Sequence, residues 1–212
     1  MKRALLWTLV VLVVGASAWG IVSMVSNGNN TGSLGASVSD SNNFKGGENA
    51  NVQLVEYSDF QCPACAVYYP AVQELNKEFG DRLKIVYKHF PLKNIHENAE
   101  LSSKAAEAAA LQGKFWEMHN KLFDTQQEWA RNSNVKALFI SYAESLGLDK
   151  AKFEQDIESQ GVKDRVEHDF QEAVRLNINS TPTFILQNKV IQNPQSYEEF
   201  RQQILNALQS NP

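Results

Sequence analysis

Cysteine is nearly absent from this chain of 212 residues: there are two, Cys62 and Cys65. That excludes a scaffold built on several disulfides. Basic runs are missing as well. Setting Lys2 and Arg3 aside, 18 basic residues face 24 acidic ones over the rest of the chain, whose formal net charge as a whole is −4. Without a basic footprint there is no case for nucleic acid as a partner. Histidine is scarce, and His89, His96, His119 and His168 show no paired ligand spacing. Zinc takes four ligands, so the two cysteines offer at most half a site, and no metal is expected. No internal repeat is visible. What is present is an apolar content of 43%, enough for one ordinary domain with a real core plus an appendage.

Long hydrophobic runs are also rare, and the one at the N-terminus stands out. Lys2 and Arg3 precede uncharged, mostly apolar sequence from Ala4 to Val25. Twenty-two helical residues reach roughly 33 Å, the thickness of a bilayer core. Residues 1–25 are therefore expected to be a membrane anchor, with the positive end in the cytoplasm and the remainder outside. The alternative is a signal segment with Leu5–Val14 as its apolar core, cleaved after Ala16-Ser17-Ala18. Both readings place the following domain in an exported compartment, where disulfide chemistry is needed. Residues 26–43, rich in Gly, Ser and Asn, read as a flexible linker.

The two cysteines stand in Phe60-Gln61-Cys62-Pro63-Ala64-Cys65. The preceding Val52–Phe60 has the β-branched and aromatic content of a central strand. The following residues, from Ala66 toward Phe79, have helical spacing, with Pro70 expected to kink or break them. A cysteine at a helix start meets exposed amides and a favourable dipole, so it ionises more easily, and the thiolate is the nucleophile. Pro63 suits the first helical position. A bridge across two residues closes almost no loop, so a purely structural role is a poor explanation of the pair. Cys62 is thus expected to be the exposed attacking thiolate and Cys65 the resolving thiol, one turn in and more buried.

Leu83–Phe90 reads as a second strand, parallel to the first across the helix. A long helical region follows, with apolar stripes that read as core. Thr183–Leu186 and Lys189–Ile191 flank Gln187-Asn188, a hairpin candidate. Ser196 and Glu199 form a capping box for a last helix from Tyr197 to about Leu208. Glu56, at a strand centre, is expected to face inward, where burial raises a carboxyl pKa and allows proton exchange with Cys65. The alternative for Glu56 is a structural pairing with Lys88 on the neighbouring strand.

This order around Cys-Pro-x-Cys resembles the thioredoxin fold with a helical insertion, as in the membrane-tethered DsbA-like thiol–disulfide oxidoreductases. The resemblance covers roughly residues 44–210. It implies an α/β fold, a central mixed sheet flanked by helices, over residues 44–212, with a helical insertion at about 92–178. It implies a cis-proline facing the cysteines and binding substrate backbone, which Pro182 in Ser180-Thr181-Pro182-Thr183-Phe184 fits, with Thr181 before it. Glu56 takes the place of the family's buried acid, with Lys88 as support. One residue departs from the pattern. The best-known DsbA has Pro-His between its cysteines, whereas Pro63-Ala64 adds no charge or donor, so a disulfide less oxidising than about −120 mV is expected. The function implied is an extracytoplasmic oxidoreductase that puts disulfides into exported cysteine-containing proteins. It needs no cofactor beyond the Cys62–Cys65 disulfide, and a quinone-linked membrane partner reoxidises it. The alternatives are a reductase or isomerase on the same fold, or a tethered binding or chaperone module without catalysis.

Overall fold

The computed structural model describes residues 43–211, so the expected anchor at 1–25 and most of the linker at 26–43 lie outside the described residues. Among the described residues no helix is long and apolar enough to cross a membrane.

Five strands form one mixed sheet: β1 (Phe44–Gly46), β2 (Val52–Ser58), β3 (Leu83–His89), β4 (Thr183–Leu186) and β5 (Lys189–Val190). Their order across the sheet is β1-β3-β2-β4-β5, and only β2 and β3 run parallel. The parallel pair is joined through α1 (Pro63–Phe79), as the strand–helix–strand sequence requires. Six helices intervene between β3 and β4: α2 (Ala99–Ala110), α3 (Phe115–Asp124), α4 (Gln126–Trp129), α5 (Val135–Ser145), α6 (Lys150–Asp156) and α7 (Gln160–Arg175). The chain ends in α8 (Tyr197–Ser210), capped by Ser196, whose side chain accepts from Glu199 N.

The expected break at Pro70 does not occur: α1 runs unbroken through it. Pro70 removes one hydrogen bond on the solvent side. Val72, Leu75 and Phe79 on the other side pack in one core cluster with Leu54, Ile85 and Phe184, which keeps the second half of the helix in line. The hairpin turn is of type I′, with positive φ at Gln187 (49°) and Asn188 (62°). Gln187 tolerates this because its side chain is pinned at both ends, accepting from Gln53 N of β2 at 2.8 Å and donating to the carbonyl of Asn51, just before β2, at 2.9 Å.

Alternation along the strands sorts the sheet into two faces. One carries Leu54, Glu56, Ile85, Tyr87, Phe184 and Leu186, the other Val55, Tyr57, Val86, Lys88 and Ile185. The short strand β1 was not anticipated. It lies close to the 3-10 turn Gly80–Arg82, where a Cβ on Gly46 would sit 1.9 Å from Leu83 O, so only glycine fits (φ 83°). Lys45 opposes Ile85 and so stands on the Glu56 face.

The helical insertion covers that face near the cysteines. His119 of α3 sits among aromatic rings, with centroids 4.8 Å from Trp116, 5.0 Å from Tyr87, 5.1 Å from Phe123 and 5.5 Å from Phe60. Burial, reinforced by the Lys45 charge, pushes its pKa from 6.5 to about 3. The folded value lies below the unfolded one, so the unfolded chain takes the proton first. The stability held by neutral His119 is complete above pH 6.5 and is lost as pH falls toward 3. By pH 5 the loss is about 2 kcal/mol. In denaturant unfolding at pH 7.5 and 5, the change in stability on acidification is expected to be less favourable in the parent than in His119→Leu by about this amount, since Cys62 and Glu56 titrate in both.

Candidate active site

Strand β2 delivers the loop Asp59–Gln61 and then Cys62, which takes the N-cap position of α1 with extended backbone (φ −68°, ψ 122°). Pro63 is the first helical residue and needs no amide partner there. The loop is fixed from below by Asp59, a fully buried carboxylate. It accepts from Gln61 N at 2.8 Å, Leu92 N at 2.9 Å and His96 Nδ1 at 2.7 Å. The Asp59 carbonyl accepts from Cys62 N at 3.0 Å.

From above, the helical insertion clamps the same loop. Gln126 Nε2 donates to the carbonyls of Phe60 (2.7 Å) and Cys62 (3.0 Å). Gln61 donates to Ala130 O at 2.7 Å and accepts from Asn98 N at 2.7 Å. These contacts bind the two parts of the fold together at the cysteines.

Cys62 and Cys65 are two free thiols in this structure. Cys62 is 7% exposed and Cys65 is fully buried. Cys62 is therefore more covered than its N-cap position suggests, while Pro63 and Ala64 beside it are exposed. The two sulfurs have opposite acidities. Cys62 is lowered from 9.0 to about 5, first by the hydrogen bond from Cys65 Sγ–H, then by the Thr181 side chain and the amides of Cys65 and Ala64, against burial. Cys65 is pushed well above 9.0 by burial, then by its bond to Cys62 and by the Cys62 and Glu56 charges.

Thr181 approaches from the loop before β4, and its peptide bond to Pro182 is cis. As a thiol, Cys62 Sγ–H lies 3.5 Å from the Thr181 carbonyl. Among the described residues the buried Thr181 hydroxyl has no partner other than this sulfur, so a thiolate can accept from it. Cys62, Cys65, Thr181 and Pro182 are thus brought together from segments more than a hundred residues apart.

Glu56 is 3% exposed and lies on the face that α1 covers. Burial raises its pKa from 4.5 to about 7, opposed by Ser58 and by the charge of Lys45. Lys88 is elsewhere. It opposes Tyr57, not Glu56, and so points to the other face of the sheet. There its Nζ lies 3.2 Å from Asp169 and 3.0 Å from Glu172 of α7. The expectation that Lys88 supports the active site, or pairs with Glu56, is corrected by this register: alternate residues of a strand face opposite ways.

Among the described residues, one group of metal-binding side chains is close enough to share an ion, His168, Asp169 and Glu172, and Lys88 already bridges its two carboxylates. Two contributors carried no sequence signal. Lys45 lies on a three-residue strand that pairing with β3 defines, and Gln126 on a four-residue helix.

A family model described as thioredoxin matches residues 39–206. Curated proteins named Na(+)/H(+) antiporter NhaA 1, from Mycolicibacterium vanbaalenii and Mycolicibacterium gilvum, are each 40% identical over 69% and 68% of this chain. The chain spans about a quarter (23%) of the length of these curated relatives. Among solved structures, oxidised BdbD from Bacillus subtilis is 25% identical, with a TM-score of 0.70 over 79% of this chain and 92% of its own. α-DsbA1 from Wolbachia pipientis has the same fold, with a TM-score of 0.68 at 18% identity over 80% of this chain and 92% of its own.

Proposed function

Because this chain belongs to the thioredoxin family, as a DsbA-like thiol–disulfide oxidoreductase, we propose that it works as a disulfide donor to exported proteins. The observation that carries this direction is the split between the two thiols: Cys62 lowered to about 5 and Cys65 raised well above 9.0. Everything that stabilises a Cys62 thiolate stabilises the reduced protein, and a disulfide whose reduced form is favoured gives itself away readily.

The reaction follows in two displacements. A substrate thiolate attacks Cys62 Sγ of the oxidised protein, and the electron pair of the broken Cys62–Cys65 bond goes to Cys65 Sγ. Cys65, whose thiol is favoured, takes a proton from Glu56, which is poised near neutrality. A second substrate thiolate then attacks the substrate sulfur of the mixed disulfide. Cys62 leaves as the stabilised thiolate, so the substrate gains a disulfide and the protein carries two more electrons. Thr181 and Pro182, beside Cys62, are positioned to receive substrate backbone. No cofactor beyond the disulfide enters this cycle, and a quinone-linked membrane partner takes up the electrons to restore it. Residues 1–25 tether residues 44–212 outside the cytoplasm through the linker at 26–43. Because the antiporter matches cover 23% of those proteins, transport is not proposed for this chain.

The test is stoichiometric. Oxidised protein mixed with a reduced two-cysteine peptide at pH 7 is expected to transfer its disulfide nearly to completion, read by mass. A peptide that stays reduced, with the protein still oxidised, rules out the donor direction.

A further inference from the structure

Glu56 is a buried acid with no ion-pair partner within 4 Å among the described residues, and Lys88 is excluded as its partner by the sheet register. Its face of the sheet nevertheless holds a lysine. Lys45 opposes Ile85 across β1 and β3, and Ile85 opposes Leu54 on β2, so Lys45, Tyr87 and Glu56 project to the same side. The Lys45 side chain is held there at two points. Its Nζ donates to Gln73 Oε1 of α1 at 3.0 Å and lies 4.1 Å from the centre of the Trp116 ring of α3. Gln73 in turn donates to Asn120 Oδ1 at 2.6 Å. This fixes an ammonium between the sheet, α1 and the insertion, and the residue as a whole is only half-buried.

We propose that Lys45 is a positioning residue of the redox site: its fixed ammonium, reaching in from the edge strand, stabilises the Glu56 carboxylate left when Cys65 takes the proton. The inference rests on the proposed proton exchange between Glu56 and Cys65. In that step the Cys62–Cys65 bond breaks, the electron pair goes to Cys65 Sγ, and the Glu56 proton follows it. Negative charge is thereby moved from sulfur to a carboxylate buried in the sheet, and such a charge is costly without a cation nearby.

The other titratable groups on this face do not supply one. Tyr87 of β3 is a phenol raised well above its usual range, mainly by burial. Cys62 and Cys65 of α1 bear negative charge when ionised. His119 of α3 is neutral above about pH 3. His89 lies further along β3 and is bonded to Glu107 of α2 at 2.8 Å. Asp59 adds a negative charge that is itself bonded to His96. Lys45, lowered to about 8 chiefly by burial while the Glu56 charge raises it, stays largely charged at neutral pH. The two groups therefore act on each other reciprocally.

The experiment is a carboxyl titration of Glu56 by carbon NMR in the reduced protein, with Glu56→Gln assigning the signal. Lys45→Met is expected to move the midpoint from about 7 up by about one unit, the scale of a unit charge lost at partly buried separation. At pH 8 the protonated fraction then rises about five-fold. Lys45→Arg, which keeps the charge, is expected to restore a midpoint near the parent's, which a purely structural role for the side chain does not predict. The pH profile of mixed-disulfide formation should shift with it. If Lys45→Met unfolds, the reciprocal measurement replaces it: Glu56→Gln should lower the Lys45 titration, read at its Nζ, from about 8.

An unmoved Glu56 midpoint in folded Lys45→Met, or an unmoved Lys45 midpoint in Glu56→Gln, overturns the inference. The titrations read charge alone, so they hold even if the parent fails to exchange disulfides, an outcome that would sink the proposed function instead.

Discussion

Cys62→Ser is expected to reduce disulfide transfer to the uncatalysed background, a loss on the order of 10³-fold or more; Cys65→Ser, which has no Cys62–Cys65 disulfide to donate either, loses transfer as well but can still form a mixed disulfide through Cys62. The asymmetry follows from the site. Cys62 is the sulfur beside the exposed Pro63-Ala64 edge and beside Thr181, whereas Cys65 is sealed beneath it. A substrate can meet only Cys62, so its removal takes away the sole point of attack, and residues that act as one unit lose nearly all activity together. Without Cys65 the mixed disulfide at Cys62 can no longer be resolved from within the protein. Cys65→Ser offered an oxidised substrate is therefore expected to accumulate a covalent complex, visible as a band shift that dithiothreitol reverses. Equal retention of activity in both variants would show that the cysteines are not the site. A chaperone or docking module would behave in that way.

The second large effect concerns the acidity of Cys62. Thiolate absorbance near 240 nm in the reduced protein is expected to titrate with a midpoint of about 5. At pH 6 some nine-tenths of Cys62 is then thiolate, against well under 1% for an ordinary thiol near 8.5, a difference of more than about 100-fold. The physical sources are short-range: the Cys65 thiol, the Thr181 hydroxyl and two amides at the start of α1. Thr181→Val removes one of these donors and is expected to raise the midpoint by about one unit, the size of a single hydrogen bond to a charged group. A midpoint near 8.5 in the parent would remove the reason for assigning Cys62 the leaving-group role.

Much of this was readable from the chain because it is local. A β-branched run into Cys-Pro-x-Cys fixes strand, N-cap and helix within twenty residues, and a place at the centre of that strand turns Glu56 inward. Apolar spacing marked the long helices of the insertion for the same reason. The expectations that needed revision depend on contacts distant in sequence. Pro70 is locally a breaker, and packing of Val72, Leu75 and Phe79 overrides it. Lys88 looked like a partner for Glu56 because both sit on adjacent strands. Only the register, with Tyr57 opposite Lys88, shows that they face apart. Lys45 could not be found, since Phe44–Gly46 is too short to carry a strand pattern and is a strand only by pairing with β3. Gln126 reaches carbonyls 64 and 66 residues away, which no spacing rule encodes. Pro182 was placed by resemblance rather than by any pattern in its neighbours.

The acidity of Cys62 and the direction of electron flow are one quantity seen twice, because stabilising the thiolate stabilises the reduced pair. The reduction potential of the Cys62–Cys65 pair in residues 44–212, equilibrated against glutathione at pH 7, therefore tests the account most directly. A disulfide donor with Ala64 in place of histidine is expected between about −120 and −200 mV. A value near about −270 mV, that of thioredoxin, would contradict it and make the protein a reductase on the same fold.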